Sequence, residues 1–366
     1  MLFALAALAG GLLVGACAYV RQPQFGELPA GGRLSAIEMS PNYADGEFRN
    51  LVPTPMFTDG RSFISVLLSN LFTKSERPAP SALVPSVRTD LKALDPGRDT
   101  IIWLGHSSYF IQIAGKRVLI DPVFSTNAAP VPYANQAFAG SSLYTADDVP
   151  EIDYLLITHD HWDHLDYASV EGLEPKVRHV IGGLGMGTYF EHWGFAREKI
   201  READWFTALD LQEGVTIHVL PARHYSGRLL TRNRILWTAY ALESPERRIF
   251  FSGDSGYGPH FAEIGRRFGG FDLAVLDSGQ YDQRWANIHM LPEEAAQAAE
   301  ELQAAAMMPA HVGRFAIAKH AWDEPFTRIS AASEGRQYRL LTPIIGGPVF
   351  LDDRKQVFSR WWESVR

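Results

Sequence analysis

A single cysteine, Cys17, serves a chain of 366 residues. No internal disulfide can form, and cysteine ligation of zinc is excluded. Excess positive charge is also missing. The formal net charge is −8, and nonspecific attachment to a phosphate backbone needs a basic face, so nucleic acid is not an expected partner. No repeat at solenoid periods is present. The glycine-rich run Gly182-Gly183-Leu184-Gly185-Met186-Gly187 lacks Gly-x-Gly-x-x-Gly spacing, which makes it a turn into a helix rather than a nucleotide cradle. What the chain does have is apolar content, 46% of residues, enough at this length to bury a large core. One catalytic domain preceded by an N-terminal extension is the simplest organisation.

Charge is absent altogether from residues 1–20, and the first basic residue, Arg21, lies on the far side of that run. About twenty helical residues span roughly 30 Å, enough to cross a bilayer core. Two readings stand side by side. Val14-Gly15-Ala16-Cys17 resembles a bacterial lipobox, which predicts cleavage before Cys17 and a lipid anchor; an uncleaved helix predicts a single-pass anchor. Either expectation places the protein at a membrane surface of the bacterial cell envelope, with a periplasmic catalytic domain. Residues 21–88 are broken by eight prolines, so long regular elements are not expected there. This stretch reads as an extended wrap over the catalytic domain, residues 89–366. A short helix is predicted at 63–72, with Ile64, Leu67, Leu68 and Leu71 sharing a face.

The densest chemistry lies in His159-Asp160-His161-Trp162-Asp163-His164, directly after the apolar run 154–158. Four metal-ligating side chains fall within six positions. An extended or looped backbone throws alternate residues to one side, so His159 and His161 can hold one cation while Asp163 and His164 turn to a second. Imidazole and carboxylate without thiolate suit zinc best, although iron, manganese and cobalt fit the same donors. Two cations need further ligands, and the ends of downstream strands offer them. His224 follows the strand-like run 215–222, Asp254 follows 248–252, and His311 follows 307–310. The expected assignment is His159, His161 and His224 at site one, Asp163, His164 and His311 at site two, and Asp254 bridging both. The glycines flanking Asp254 in Gly253-Asp254-Ser255-Gly256 permit the tight turn this needs.

With these strings in place the chain resembles the metallo-β-lactamase superfamily, and within it the N-acyl-phosphatidylethanolamine phospholipase D-like branch. The resemblance spans about residues 99–330. It runs through Trp103-Leu104-Gly105-His106, Asp121-Pro122-Val123-Phe124-Ser125, the hexad, Ser252-Gly253-Asp254-Ser255-Gly256-Tyr257, His289-Met290 and Pro309-Ala310-His311-Val312-Gly313-Arg314-Phe315. The hexad marks the superfamily and the later strings mark the branch. The resemblance implies an α/β fold, an αββα four-layer sandwich with the metals at one edge of two facing sheets, and a hydrolase acting on a phosphodiester bond. By the same resemblance Asp121 supports the hexad loop as an acceptor for a ligand imidazole. The chain departs from the branch at Asp277-Ser278, where the family is apolar, and at Arg223, where an amide is usual.

A phosphodiester is anionic and repels hydroxide. Two cations are therefore expected to neutralise it and lower the pKa of a bridging water toward about 7, the resulting hydroxide attacking phosphorus in line. Asp163 is expected to orient that hydroxide, and His289 to contact the phosphate or the leaving group; a helix-capping role is the alternative for His289. His106 is placed as a brace of the metal edge and His320 at the mouth beside Tyr281. The leading expectation is a zinc-dependent phospholipase D-type hydrolase of a phospholipid or related small diester. A lactonase or other carbonyl hydrolase using the same hydroxide is the alternative, and a noncatalytic membrane scaffold is a third. Further elements expected are hairpins at 101–120 and at 236–252, a helix at 292–303, and an aromatic stripe of Phe358, Trp361, Trp362 and Val365 that docks on the domain or on a membrane.

Overall fold

Strands that are apolar along their whole length must be covered on both faces. Strand β3 (Thr100–Gly105) and strand β4 (Ser108–Ile113) are buried at every position. The computed structural model, which describes residues 10–11, 14–210, 214–228 and 231–366, shows what covers them. After a two-residue hairpin, β1 (Tyr43–Ala44) and β2 (Glu47–Phe48), the chain builds β3, β4, β5 (Lys116–Ile120), β6 (Ile152–Ile157), β7 (Val177–Gly183) and β8 (Ile200–Ala203). It continues with β9 (Thr207–Asp210), β10 (Thr216–Leu220), β11 (Ala239–Glu243), β12 (Arg248–Phe251), β13 (Leu273–Asp277), β14 (Ala306–Ala310), β15 (Arg339–Leu340) and β16 (Pro348–Phe350). These form two seven-stranded sheets, in the orders β16-β3-β4-β5-β6-β7-β8 and β15-β14-β13-β12-β11-β10-β9.

Alternation along the strands sorts the core. Ile101, Trp103, Tyr109 and Ile111 pack in one cluster with Ile217, Val219, Tyr240, Leu242 and Phe250 of the other sheet. Their neighbours Ile102, Leu104 and Phe110 pack outward with Val170, Leu173 and Phe190 of the helices Tyr167–Leu173 and Gly187–His192. On the second sheet the helices His260–Phe268, Pro292–Glu301 and Glu324–Ala332 supply Phe261, Ala295, Ala299 and Phe326 to the core. The result is the αββα sandwich.

Both expected hairpins form. In the first, β3, β4 and β5 pair antiparallel. The second pairs β11 with β12, but its first strand begins at Ala239 rather than 236, because the Leu236 and Thr238 amides bond across to Leu184 and Thr158 of the first sheet's loops. The helix Pro292–Glu301 starts with proline, and Glu294 accepts from the Leu291 amide, closing its first turn. Trp361, Trp362 and Val365 are buried against the domain in a final 3₁₀ turn.

Most of residues 1–13 lies outside the described residues. Among the described residues no helix is long and apolar enough to cross a membrane; Cys17 is exposed. The segment that follows packs on the sandwich, burying Phe25, Ile37, Phe48 and Val84. The helix Phe63–Phe72 is present; of the expected face, Ile64 and Leu68 are 67% and 53% exposed, Leu67 and Leu71 lie outside the described side chains, and Val66 is buried. The helix lies beside the cavity described below, and Val66 lines it.

Candidate metal centre

Strands that run parallel end at the same edge, and side chains just past their C-termini converge there. Strand β5 pairs parallel with β6, and β12, β13 and β14 pair parallel in turn. Asp121, His159, Asp254, Asp277 and His311 sit at or shortly after the ends of these five strands. The turn delivering Asp254 depends on its glycines. Gly253 has φ +56°, and a Cβ at Gly256 would stand 2.0 Å from the Asn287 carbonyl oxygen.

All seven residues singled out as ligands come together, in two groups. His159, His161, His224 and Asp254 form one, and Asp163, His164 and His311 form the other with His106; within each group the ligating atoms lie within 4.8 Å of one another. Asp254 stands between them. Its Oδ2 is 3.7 Å from His159 Nε2 and 3.8 Å from His224 Nε2 on one side, and 3.2 Å from His164 Nε2 and 3.4 Å from His311 Nε2 on the other. Buried polar atoms are ordinarily paired. Here His161 Nε2 and Asp254 Oδ1 are buried with no hydrogen-bond partner. A cation satisfies such atoms, and a donor set of imidazoles and carboxylates suits a borderline or hard divalent ion.

The electrostatics of the two groups differ. Burial, reinforced by neighbouring imidazoles, holds His159 and His224 well below the usual imidazole range. Burial brings His161 to about 4. These three rings are neutral, the form that ligates. Burial also opposes charge at His164 and His311, but Asp254 and Asp163 outweigh it, holding His164 well above its ordinary range and His311 at about 10. Those imidazoles in turn keep the Asp163 and Asp254 carboxyls well below theirs, against the effect of burial. A cation taken up in this half would therefore displace protons.

Two of the rings, His164 and His224, are fixed from behind. His164 Nδ1 lies 2.8 Å from Asp121 Oδ2, while Asp121 Oδ1 accepts from the Thr158 amide at 2.8 Å. His224 Nδ1 meets the Ile288 carbonyl at 2.9 Å. His106, at φ +55°, puts Nε2 3.0 Å from Asp163 Oδ2 and so braces the edge as expected. Asp277 explains one departure from the family pattern: it is fully buried, and its Oδ2 holds His289 Nδ1 at 2.9 Å. His289 stacks on His311 with ring centroids 5.0 Å apart and meets His224 edge-on at 4.9 Å. It does not cap the following helix. Arg223, the other departure, bonds the Tyr257 carbonyl and Thr54 Oγ1. His320 stacks on Tyr281 at 4.5 Å, but neither ring is among the residues lining the cavity.

Nothing in the sequence pointed to Asn50. Its side-chain amide donates to the His224 carbonyl at 2.7 Å and accepts from the His224 amide at 3.0 Å, so the N-terminal extension holds the backbone of a ligand-bearing turn. A lone asparagine between prolines has no spacing signature. The extension also walls the cavity above the cluster, of about 390 Å3, through Met56, Phe57 and Val66; His161, Asp163, Asp254, His289 and His311 line it as well.

His260 gives the centre a pH dependence outside the ligand set. Its Nε2 lies 3.2 Å from Ser255 Oγ, and burial lowers its pKa from 6.5 to about 3. Below pH 6.5 the unfolded chain takes up a proton that the folded ring refuses until about pH 3. Stability is therefore fully present above 6.5 and is lost as pH falls from 6.5 toward 3, by a few kcal/mol in all at about 1.4 kcal/mol per pH unit. Denaturant titrations at stepped pH are expected to show a shallower acid limb in His260→Gln than in the parent. An unchanged slope would remove the assignment.

A family model described as the Beta-lactamase superfamily domain matches residues 116–312. The chain belongs to the metallo-β-lactamase superfamily. An uncharacterized protein of Mycobacterium tuberculosis is 36% identical over 313 residues, 84% of each chain. The mitochondrial N-acyl-phosphatidylethanolamine-hydrolyzing phospholipase D of Saccharomyces cerevisiae is 31% identical over 256 residues, 67% of this chain and 54% of the yeast protein. Within the superfamily the chain falls in the branch named for that activity. A metallo-hydrolase from the archaeon Ignicoccus hospitalis shares the fold, with a TM-score of 0.53 at 20% identity over 69% of this chain and 97% of that one. The protein is thus a metallo-β-lactamase superfamily hydrolase carrying histidine and aspartate clusters that can bind metal.

Proposed function

We propose that the protein is a two-zinc phosphodiesterase of phospholipase D type, acting at a membrane of the bacterial envelope on an N-acylated phosphatidylethanolamine or a related diester. The observation that carries this is the position of Asp254, whose one oxygen lies within 3.8 Å of imidazoles from both clusters at the floor of the cavity. In this reading His159, His161 and His224 hold one ion, Asp163, His164 and His311 the other, and Asp254 both. Two such ions, when bound, neutralise an anionic diester and make a water acidic enough to act as a nucleophile near neutral pH.

The protein's own groups do the rest. Asp163 orients the attacking water, held by His106 and His311 at 3.0 Å each. Water adds to phosphorus and the bond to the leaving alcohol breaks. His289 delivers the proton that oxygen needs: Asp277 engages its Nδ1, leaving Nε2 for the substrate side. The cavity is at the small end of ligand pockets, which run from about 300 to 1,000 Å3. It suits a headgroup diester and the first carbons of its chains, and Met56, Phe57, Val66, Trp285, Ile288 and Ile317 give it an apolar wall. The name of the yeast relative supports the lipid class.

Mass spectrometry of zinc-loaded protein with mixed phospholipid vesicles tests the reading. Release of a free N-acylethanolamine together with phosphatidic acid is the expected result. Turnover of a lactone panel with every diester intact would replace it with carbonyl hydrolysis.

A further inference from the structure

Arg228 lies four residues after His224 and is only 3% exposed. Burying a guanidinium is costly unless its donors are paired. Its Nε donates to the Asp160 carbonyl at 2.7 Å, Nη2 donates to the Leu165 carbonyl, and Nη1 donates to the Gln24 carbonyl of the N-terminal extension. The guanidinium carbon sits 4.1 Å from the centre of the Trp162 ring, with Tyr189 and Trp193 at 5.2 and 5.9 Å. Phe25 closes the box, edge-on to Trp162 at 5.2 Å. One residue earlier, the Gly227 amide donates to Asp160 Oδ1 at 2.6 Å, and Tyr189 Oη donates to the other carboxylate oxygen at 3.0 Å.

These contacts join two separate pieces of chain. Asp160 and Leu165 bracket His161 to His164 of the hexad, and Arg228 belongs to the turn that carries His224. Three of the first cluster's four members, His159, His161 and His224, lie on those two pieces, so their geometry depends on how the pieces are fastened. The second cluster has a tie that does not involve Arg228, His164 to Asp121.

We infer that Arg228 is a positioning residue for the first metal site, clamping the His224 turn to the hexad loop, with Gln24 and Phe25 of the extension completing the clamp. The inference rests on the two-ion reading. Lysine cannot take its place, because a single ammonium cannot reach three carbonyls with the planar fork of a guanidinium. Partners that orient ligands in this way are worth about 10–100-fold in metal affinity.

Chelator competition with zinc, followed by cobalt substitution and its electronic spectrum, tests this on the full chain of the parent, Arg228→Met, Arg228→Lys and His224→Ala. The parent should hold two ions. In both Arg228 variants one ion should weaken by about 10–100-fold while the other keeps its parental affinity, and the remaining cobalt spectrum should match that of His224→Ala. Circular dichroism checks that each variant is folded, and where Arg228→Met is not, Arg228→Lys decides. Two ions held with parental affinity, or both weakened alike, would overturn the inference while leaving the two-ion reading intact. A parent that loads fewer than two ions would overturn both.

Discussion

Asp254→Asn is expected to cost about a thousandfold or more in turnover and to leave the protein unable to hold two ions. The residue contacts both clusters through one oxygen, so neutralising it removes a shared ligand rather than a peripheral one. Charge stabilisation by bound cations is worth several kcal/mol, and at about 1.4 kcal/mol per tenfold in rate that gives the size of the loss. The metal-free protein should suffer as well. His164 and His311 are held charged largely by Asp254 and Asp163, and removing one partner of a buried pair costs about 3–5 kcal/mol. Asparagine keeps the shape of the side chain, so an unfolding titration beside the metal content separates the two effects. Parental turnover with two ions bound would show that the carboxylate is not shared.

His289→Ala is expected to lower kcat by about 10²–10⁴-fold, the usual worth of a positioned acid, with both ions retained. His289 is tied to the proposed ligands through a shared carboxylate: Asp277 Oδ2 takes its Nδ1 while Asp277 Oδ1 lies 3.4 Å from His311 Nδ1, and the His311 ring stacks on it while His224 meets it edge-on. A substrate with an activated leaving group, such as a nitrophenolate, needs little protonation and should lose much less. Metal analysis alongside the two substrates checks the assignment. Equal losses on both substrates, or loss of an ion, would make His289 a support of the cluster instead.

The metal-binding candidates were legible because their chemistry is local. Four of them fall within one hexad, and the other three follow apolar runs whose lengths mark strands. A strand end fixes direction, so a histidine or aspartate placed there can be assigned to the same edge without knowing the rest of the fold. The sandwich followed from the family resemblance and from hairpins that the turn residues announce. What escaped the sequence is contact between distant segments. Asn50 touches a proposed ligand 174 positions away, and Met56 and Phe57 wall the cavity from a stretch whose prolines announce only irregular backbone. Arg228 has the composition of a surface residue; it is buried because carbonyls and rings drawn from several parts of the chain satisfy it. The helix at 63–72 shows the same limit from the other side. Periodicity located it, but it did not single out Val66, which is buried and lines the cavity while Ile64 and Leu68 are exposed.

The central claim is that two divalent ions share one carboxylate. Elemental analysis of the purified, zinc-supplemented protein, joined to anomalous scattering at the zinc edge from its crystals, tests it most directly. The account predicts two ions per chain and two peaks roughly 3.5 to 4 Å apart, one among His159, His161 and His224, the other among Asp163, His164 and His311, with Asp254 between. A single peak, or a pocket empty of metal in supplemented protein, would contradict it.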